Sequence, residues 1–271
     1  MRKLIIALIF LGLGNLQAQK SYSYKATYRL EFQKDSTNEN SIKSEIGVLY
    51  LGKGYSRYSS LGKAVKDSLV ATLDPSNKSM AEFYRIRSLT PETDFNYKIF
   101  KNYLENELIL VEKVFKDKLK YKQALKVVDW DIQPETKEIL GYKVQKATGA
   151  FAGRNYIVWF APELPFPDGP YKFNGLPGLI LEISDLKDDY HFRLTAFQEL
   201  AYSVDKLLSL DKYKAVSQQE LDQVRKDYNR DPLTAMANSG ITIEWKDGQE
   251  EAKRELRKKY EKRNNPIELQ K

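Results

Sequence analysis

The chain contains no cysteine and only one histidine, His191, in 271 residues. Without cysteine an exported chain has no disulfide to restrain its unfolded state, so stability has to come from the core and from strand pairing. The same absence excludes lipid attachment at an N-terminal Cys. A zinc site built on imidazoles has no second His to draw on. A Ser-His-Asp triad would have to use His191, and no Gly-x-Ser-x-Gly elbow accompanies it. There is no phosphate-cradling glycine loop, no internal repeat and no long low-complexity linker. Long apolar runs are missing as well. The run Leu4 to Leu13 falls short of the roughly 20 residues a helix needs to cross a bilayer core of about 30 Å.

That short run has another use. Arg2 and Lys3 precede it and Leu16-Gln17-Ala18 follows it, the order of a secretory signal peptide, assigned to residues 1–19. The expected location is therefore outside the inner membrane: periplasmic, outer-membrane-associated or secreted. The net charge of +7 is spread among interleaved acids, and export also argues against nucleic acid as a partner.

Aromatic residues are the stronger signal. Eighteen tyrosines and twelve phenylalanines favour strands. The clearest strand is 22–33, where Tyr22, Tyr24, Ala26, Tyr28, Leu30 and Phe32 alternate with polar residues, the period of a sheet with one buried and one wet face. Further strands read at 43–51, 55–60, 82–87, 95–101, 107–116, 139–148, 154–160, 178–185 and 189–198, separated by turns such as Gly52-Lys53-Gly54 and Asp74-Pro75-Ser76-Asn77. Short links with no intervening helices predict a mainly β fold: an antiparallel meander forming a curved sheet or half-open barrel over residues 20–215.

The last part, 216–271, changes character and reads as a helical extension packed on or trailing from the core. Ser217 and Glu220 form a capping box ahead of the stripe Leu221, Val224 and Tyr228. Ile241 to Trp245 reads as one more short strand. Gln249 to Arg263 is a highly charged peripheral helix, basic enough for a membrane surface or an acidic partner.

The stretch Gly169 to Ile183, GPYKFNGLPGLILEI, fits no chemical motif. Its breakers are explained by backbone geometry. Pro162, Pro165 and Pro167 take Ala161 to Asp168 out of the sheet, Gly169 and Pro170 reverse the chain, and Gly175 permits positive φ. Pro177 sets a tight turn ending at Gly178, and Leu179 and Ile180 start a buried strand. The segment reads as a long crossover that docks at one register.

Together with Trp130, Glu135-Thr136-Lys137, Ile139-x-Gly141-Tyr142, Lys146-Ala147-Thr148 and Glu163-Leu164-Pro165, the core Gly175-Leu176-Pro177-Gly178-Leu179-Ile180 resembles the GLPGLI family of exported proteins, whose biochemical activity is not established. The resemblance runs from Trp130 to Asp185, and Asn265-Pro266-Ile267-Glu268-Leu269 resembles a family ending. Many members carry a Cys where this chain has Val144, so a thiol there cannot be general to the family.

Three groups are candidates for function. Trp159, Phe160, Phe166, Tyr171 and Phe173 crowd the crossover and either line a pocket for an apolar ligand or plug the open end of the sheet. Asp129 and Asp131 flank Trp130 and form either an acid–base pair or a soluble strand edge. Asp185, Asp188 and Asp189 surround Lys187 in a turn that lacks a calcium-loop pattern. No catalytic residue, metal or cofactor is expected. The favoured reading is a non-enzymatic protein of the cell envelope that binds an apolar ligand or a partner protein on a sheet surface near Gly169–Ile183. The alternatives are a carboxylate-dependent hydrolase and a membrane-surface module using the basic C-terminal helix.

Overall fold

Residues 22–73, 79–201, 210–233 and 249–269 are described by a computed structural model of the chain. The expected signal peptide at 1–19, the turn at 74–77 and the strand at 241–245 lie outside the described residues.

The core element is β1 (Tyr22–Gln33), the range read from alternation, with Ala26, Tyr28, Leu30 and Phe32 buried and Arg29 exposed. It has sheet neighbours on both sides. One side carries β2 (Ile42–Gly52), β3 (Tyr55–Ser60), β4 (Tyr97–Asn102), β5 (Glu107–Val114) and β6 (Asp117–Ala124) in chain order. The other carries β11 (Tyr190–Glu199), β10 (Leu179–Asp185), β9 (Arg154–Ala161), β8 (Tyr142–Phe151) and β7 (Asp131–Ile139), in reverse chain order. Two antiparallel meanders thus meet at β1–β11, and the twelfth strand, β12 (Lys214–Ala215), adds in parallel to β6.

This order forces the sheet to curl. β6 and β7 are consecutive in the chain yet ten strand spacings apart in the sheet, about 48 Å if flat. The link 125–130 reaches at most about 25 Å when fully extended. The sheet therefore rolls until its two ends can be bridged, with Leu125 and Val128 of the link buried in the core. The mainly β, open, curved antiparallel sheet agrees with the sequence expectation.

Local detail departs from that expectation in three places. The connection between β3 and β4 is a helical hairpin, α1 (Leu61–Ala71) and α2 (Met80–Leu89), so the meander does have intervening helices, and residues 82–87 are helical rather than a strand. The helix follows instead from Ser79, whose side chain accepts a hydrogen bond from the Glu82 amide, and a Ser with a Glu three residues on was legible as a helix start. Next, β6 and β7 were missed: β6 does alternate, Leu119 and Tyr121 with Lys118, Lys120 and Lys122, whereas β7 has no apolar alternation to read. Finally, the hairpins β7–β8 and β8–β9 close with two-residue turns at Leu140-Gly141 and Ala152-Gly153, all four at positive φ, the turns whose twist matches paired strands.

Helix α3 (Gln218–Arg230) begins with the expected reciprocal capping box of Ser217 and Glu220. It buries Leu221 and packs on β5 and β6. Helix α4 (Gln249–Glu261) packs on α3, with the Tyr228 and Tyr260 rings edge to face.

Candidate functional site

The crossover from β9 to β10, residues 162–178, lies inside the curl. Phe173 is fully buried and meets Tyr156, Phe192, Phe151 and Trp130, side chains from β8, β9, β11 and the 125–130 link. Irregular backbone in a core needs partners for its polar groups, and side chains of the sheet supply them. Tyr28 donates to the Ile180 carbonyl (2.8 Å), Tyr103 to that of Pro167 (3.1 Å), and the Trp130 indole to that of Asn174 (2.8 Å). Asn174 donates back to the Leu125 carbonyl at 2.8 Å.

Lys101 of β4 is the central anchor. Its ammonium is fully buried and donates to Asp168 Oδ1 (2.6 Å) and to the carbonyls of Gly169 (2.8 Å) and Phe173 (2.9 Å), so all three of its protons are used. Burial lowers its pKa, and Asp168 opposes that shift. The glycines meet the steric demand read from the sequence. Gly175 has φ +93°, and a Cβ on Gly178 would sit 2.2 Å from the Ala161 carbonyl oxygen.

The tip of the crossover meets the C-terminal tail. Tyr171 and Lys172 both bond the carboxylate of Glu268, which also accepts from Gln218 (3.0 Å). Burial and Glu268 push the Tyr171 hydroxyl well above its ordinary pKa. Arg154, buried in the first position of β9, gathers Asp185 (2.8 Å), Asp189 (2.7 Å), Asn265 Oδ1 (2.6 Å) and the Pro266 carbonyl (2.9 Å). Asn265 itself donates to the Gln33 carbonyl (2.9 Å), and its own carbonyl accepts from Tyr190 (2.7 Å). Asn265–Leu269 and the crossover, the two ends of the family resemblance, are thus in direct contact.

Beside this junction opens a cleft of about 490 Å³. Tyr97 and Tyr171 line it from the sheet and crossover, Glu112 and Phe115 from the end of β5, Arg225 and Tyr228 from α3, and Tyr260 and Arg263 from the C-terminal segment. Its walls mix rings with paired charges. Arg225 holds Glu112 (2.6 Å) and Asp222 (2.8 Å), while Lys34 and Arg263 converge on Asp94 (3.0 and 2.8 Å). Burial alone would raise Asp94, but Lys34 and Arg263 outweigh it and hold the carboxyl below its usual range.

The five aromatics singled out from the sequence separate. Phe160 and Phe173 are fully buried, and Phe166 packs on Tyr24 and Phe197. Trp159 points to the other face, under the Lys137 ammonium at 4.4 Å from its ring centre. Of the five, only Tyr171 lines the cleft. Gly169, Pro170, Leu176, Gly178, Leu179 and Ile180 are buried, whereas Gly175 and Pro177 are exposed. Val144 of β8 is fully buried.

The other candidates resolve differently. Asp129 lies in the link ahead of β7, its side chain 91% exposed and paired with Lys126, and Asp131 is also exposed; both line an open cleft of about 360 Å³ with Thr148, Asn155 and Tyr156. The Asp185–Asp189 turn is not a freely solvated one, since Asp185 is buried and the cation it surrounds is Arg154. His191 sits on the outer face between Glu182 (3.0 Å) and Asp188 (2.8 Å), and Glu182 also bonds Lys137. Sequence reasoning missed Lys101, Arg154 and Glu268. A buried Lys or Arg carries no local signal, because its partners are distant in the chain.

Residues 152–182 match a family model described as Protein of unknown function (Porph_ging). This runs from the β8–β9 turn through the first four residues of β10, a short part of the chain, and agrees with the resemblance read from the crossover motif. Two crystal structures of PNGF-II, in the C2 and P21 space groups, have similar folds, each with a TM-score of 0.50. They are 14% and 15% identical in sequence and cover 75% and 76% of this chain. The likeness is one of fold, and this chain spans about a third of their length (32% and 34%). No curated protein matches the chain.

Proposed function

We propose that the protein is an exported binding protein of the cell envelope, and that its ligand site is the cleft where the crossover tip meets the C-terminal tail. The carrying observation is that cleft: about 490 Å³, within the usual size range for small-molecule sites. The interior of the curl is filled by the crossover itself, so an apolar ligand does not lie there. The cleft's walls suit an amphipathic molecule. Phe115, Tyr228 and Tyr260 offer faces for an apolar body, and the ion pairs of Arg225 and Arg263 offer polar ends.

The test uses an anionic aromatic dye, 1-anilinonaphthalene-8-sulfonate, with the mature chain. Saturable binding that weakens at least tenfold in Phe115→Ala and Tyr228→Ala is the expected result. Dye binding that those substitutions leave unchanged, or no saturable binding, would sink the reading.

A further inference from the structure

We infer that the α1–α2 hairpin is a lipid-contact surface that lays α2 on a bilayer carrying anionic headgroups. The observation is an inverted helix. Met80, Phe83, Tyr84 and Arg87 stand at i, i+3, i+4 and i+7, one face of α2. That face points away from the protein: Met80 is 64% exposed, Phe83 55% and Tyr84 60%. The helix buries only Ile86.

The exposure is concentrated here. Of the eleven large hydrophobic side chains exposed among the described residues, five (Val70, Met80, Phe83, Tyr84 and Leu89) belong to this one connection between β3 and β4. Others stand singly in turns, such as Leu104, Leu140 and Leu186. Scattered exposed hydrophobes are normal on any protein, whereas a cluster marks an interaction surface.

Charge selects the occupant. Residues 61–90 contain five Lys or Arg and three Asp or Glu. The acids described there are already engaged. Asp67 is held by Lys63 and by Lys98 of β4, and Glu82 by Arg85. Those pairs engage Lys63 and Arg85 in turn, so the charge the hairpin adds is carried by the exposed Lys66 of α1 and Arg87 of α2. The outward face of α2 thus combines an apolar stripe with Arg87, and its aromatic pair, Phe83 and Tyr84, packs edge to face. This is the make-up of a helix that lies in the headgroup region, with rings at the acyl boundary and cations among anionic lipids. Ten residues give a helix of about 15 Å, a contact for lying on a bilayer and too short for spanning one. The hairpin also adjoins the cleft, since Thr93, Asp94 and Phe95, just past α2, line it.

The experiment is flotation of the mature chain with vesicles of phosphatidylglycerol and phosphatidylethanolamine, against vesicles of phosphatidylcholine alone. We expect binding to the anionic vesicles that falls with added salt and is much weaker on the neutral ones. Phe83→Ser with Tyr84→Ser should reduce it at least tenfold, and Arg87→Glu several-fold, each with an unchanged circular dichroism spectrum. Charge reversal of the exposed Arg254, Lys258 and Lys262 on the C-terminal side is the contrasting variant and should leave most of the binding. The inference is overturned if the chain fails to bind anionic vesicles, if the Phe83/Tyr84 variant floats like the parent, or if only the C-terminal reversal abolishes binding. Self-association of the parent without lipid, lost in the Phe83/Tyr84 variant, would overturn it in favour of a protein partner.

Discussion

Two connections between neighbouring strands behave in opposite ways. The crossover between β9 and β10 is irregular, holds seven prolines and glycines from Pro165 to Gly178, and yet buries Asp168 to Asn174 without a break. The hairpin between β3 and β4 is regular and rich in apolar residues; its α1 rests half-buried on β2 and β3, and yet α2 keeps Met80, Phe83 and Tyr84 exposed. Backbone satisfaction accounts for half of the contrast. Helices satisfy their own amides, so α1 and α2 need nothing from the sheet. The crossover has only turn bonds and one isolated bridge, Asp168–Asn174, and Lys101, Tyr103 and Trp130 donate to its carbonyls at Gly169, Phe173, Pro167 and Asn174. A buried loop is stable only where the surrounding sheet is built to receive it.

The comparison can be broken most severely at Lys101. Lys101→Met leaves Asp168 buried without its cation and should cost about 3–5 kcal/mol, read as a lower urea midpoint. A loss below about 1 kcal/mol would mean that the crossover does not depend on this anchor. Next is Gly178→Ala, whose new Cβ meets the Ala161 backbone and should cost about 1–3 kcal/mol. The same measurement would show no loss if the turn can shift freely.

A smaller effect is expected on the outer face. Glu182 is held at about 2, chiefly by its hydrogen bond from His191 and then by Lys137, against the opposing effect of burial. A carboxyl depressed in the folded state contributes stability above its unfolded pKa of about 4.5, and this is lost as pH falls toward 2. Glu182→Gln should flatten the stability profile across that window and leave neutral-pH folding intact. Urea midpoints taken from pH 5 to pH 2 decide it, and an unchanged slope would remove Glu182 from the account. The smallest expected effect is at the hairpin. Phe83→Ser should change stability by no more than about 0.5 kcal/mol, because the ring is exposed. A large loss would mean that α2 packs on the fold after all, and the contrast would dissolve.

Legibility followed the range of the interactions. Alternation located β1, β3 and β9–β11 closely, and the Ser217–Glu220 box placed the start of α3. β7 escaped because it has no apolar alternation, β6 although Leu119 and Tyr121 do alternate with lysines, and α2 was misread although Ser79 and Glu82 mark a helix start. At the candidate site, Tyr171 was within reach of sequence reasoning. Its partners were not, since Glu268 lies almost a hundred residues away and Arg225 on a separate helix.

The sequence by itself determined the β class, the long crossover and the positions where glycine is required. These depend on side-chain period, on φ and on missing amide protons, all local properties. Only the tertiary structure decided that the crossover enters the curl, that Asn265–Leu269 seals it, and that α2 turns its rings outward. The physical reason is that the first two outcomes rest on partners distant in the chain, Lys101 of β4 with Asp168 of the crossover and Arg154 of β9 with Asn265 of the tail. Such partners have no separate signature in the chain until the β1–β11 pairing and the short 125–130 link bring the two meanders around one core.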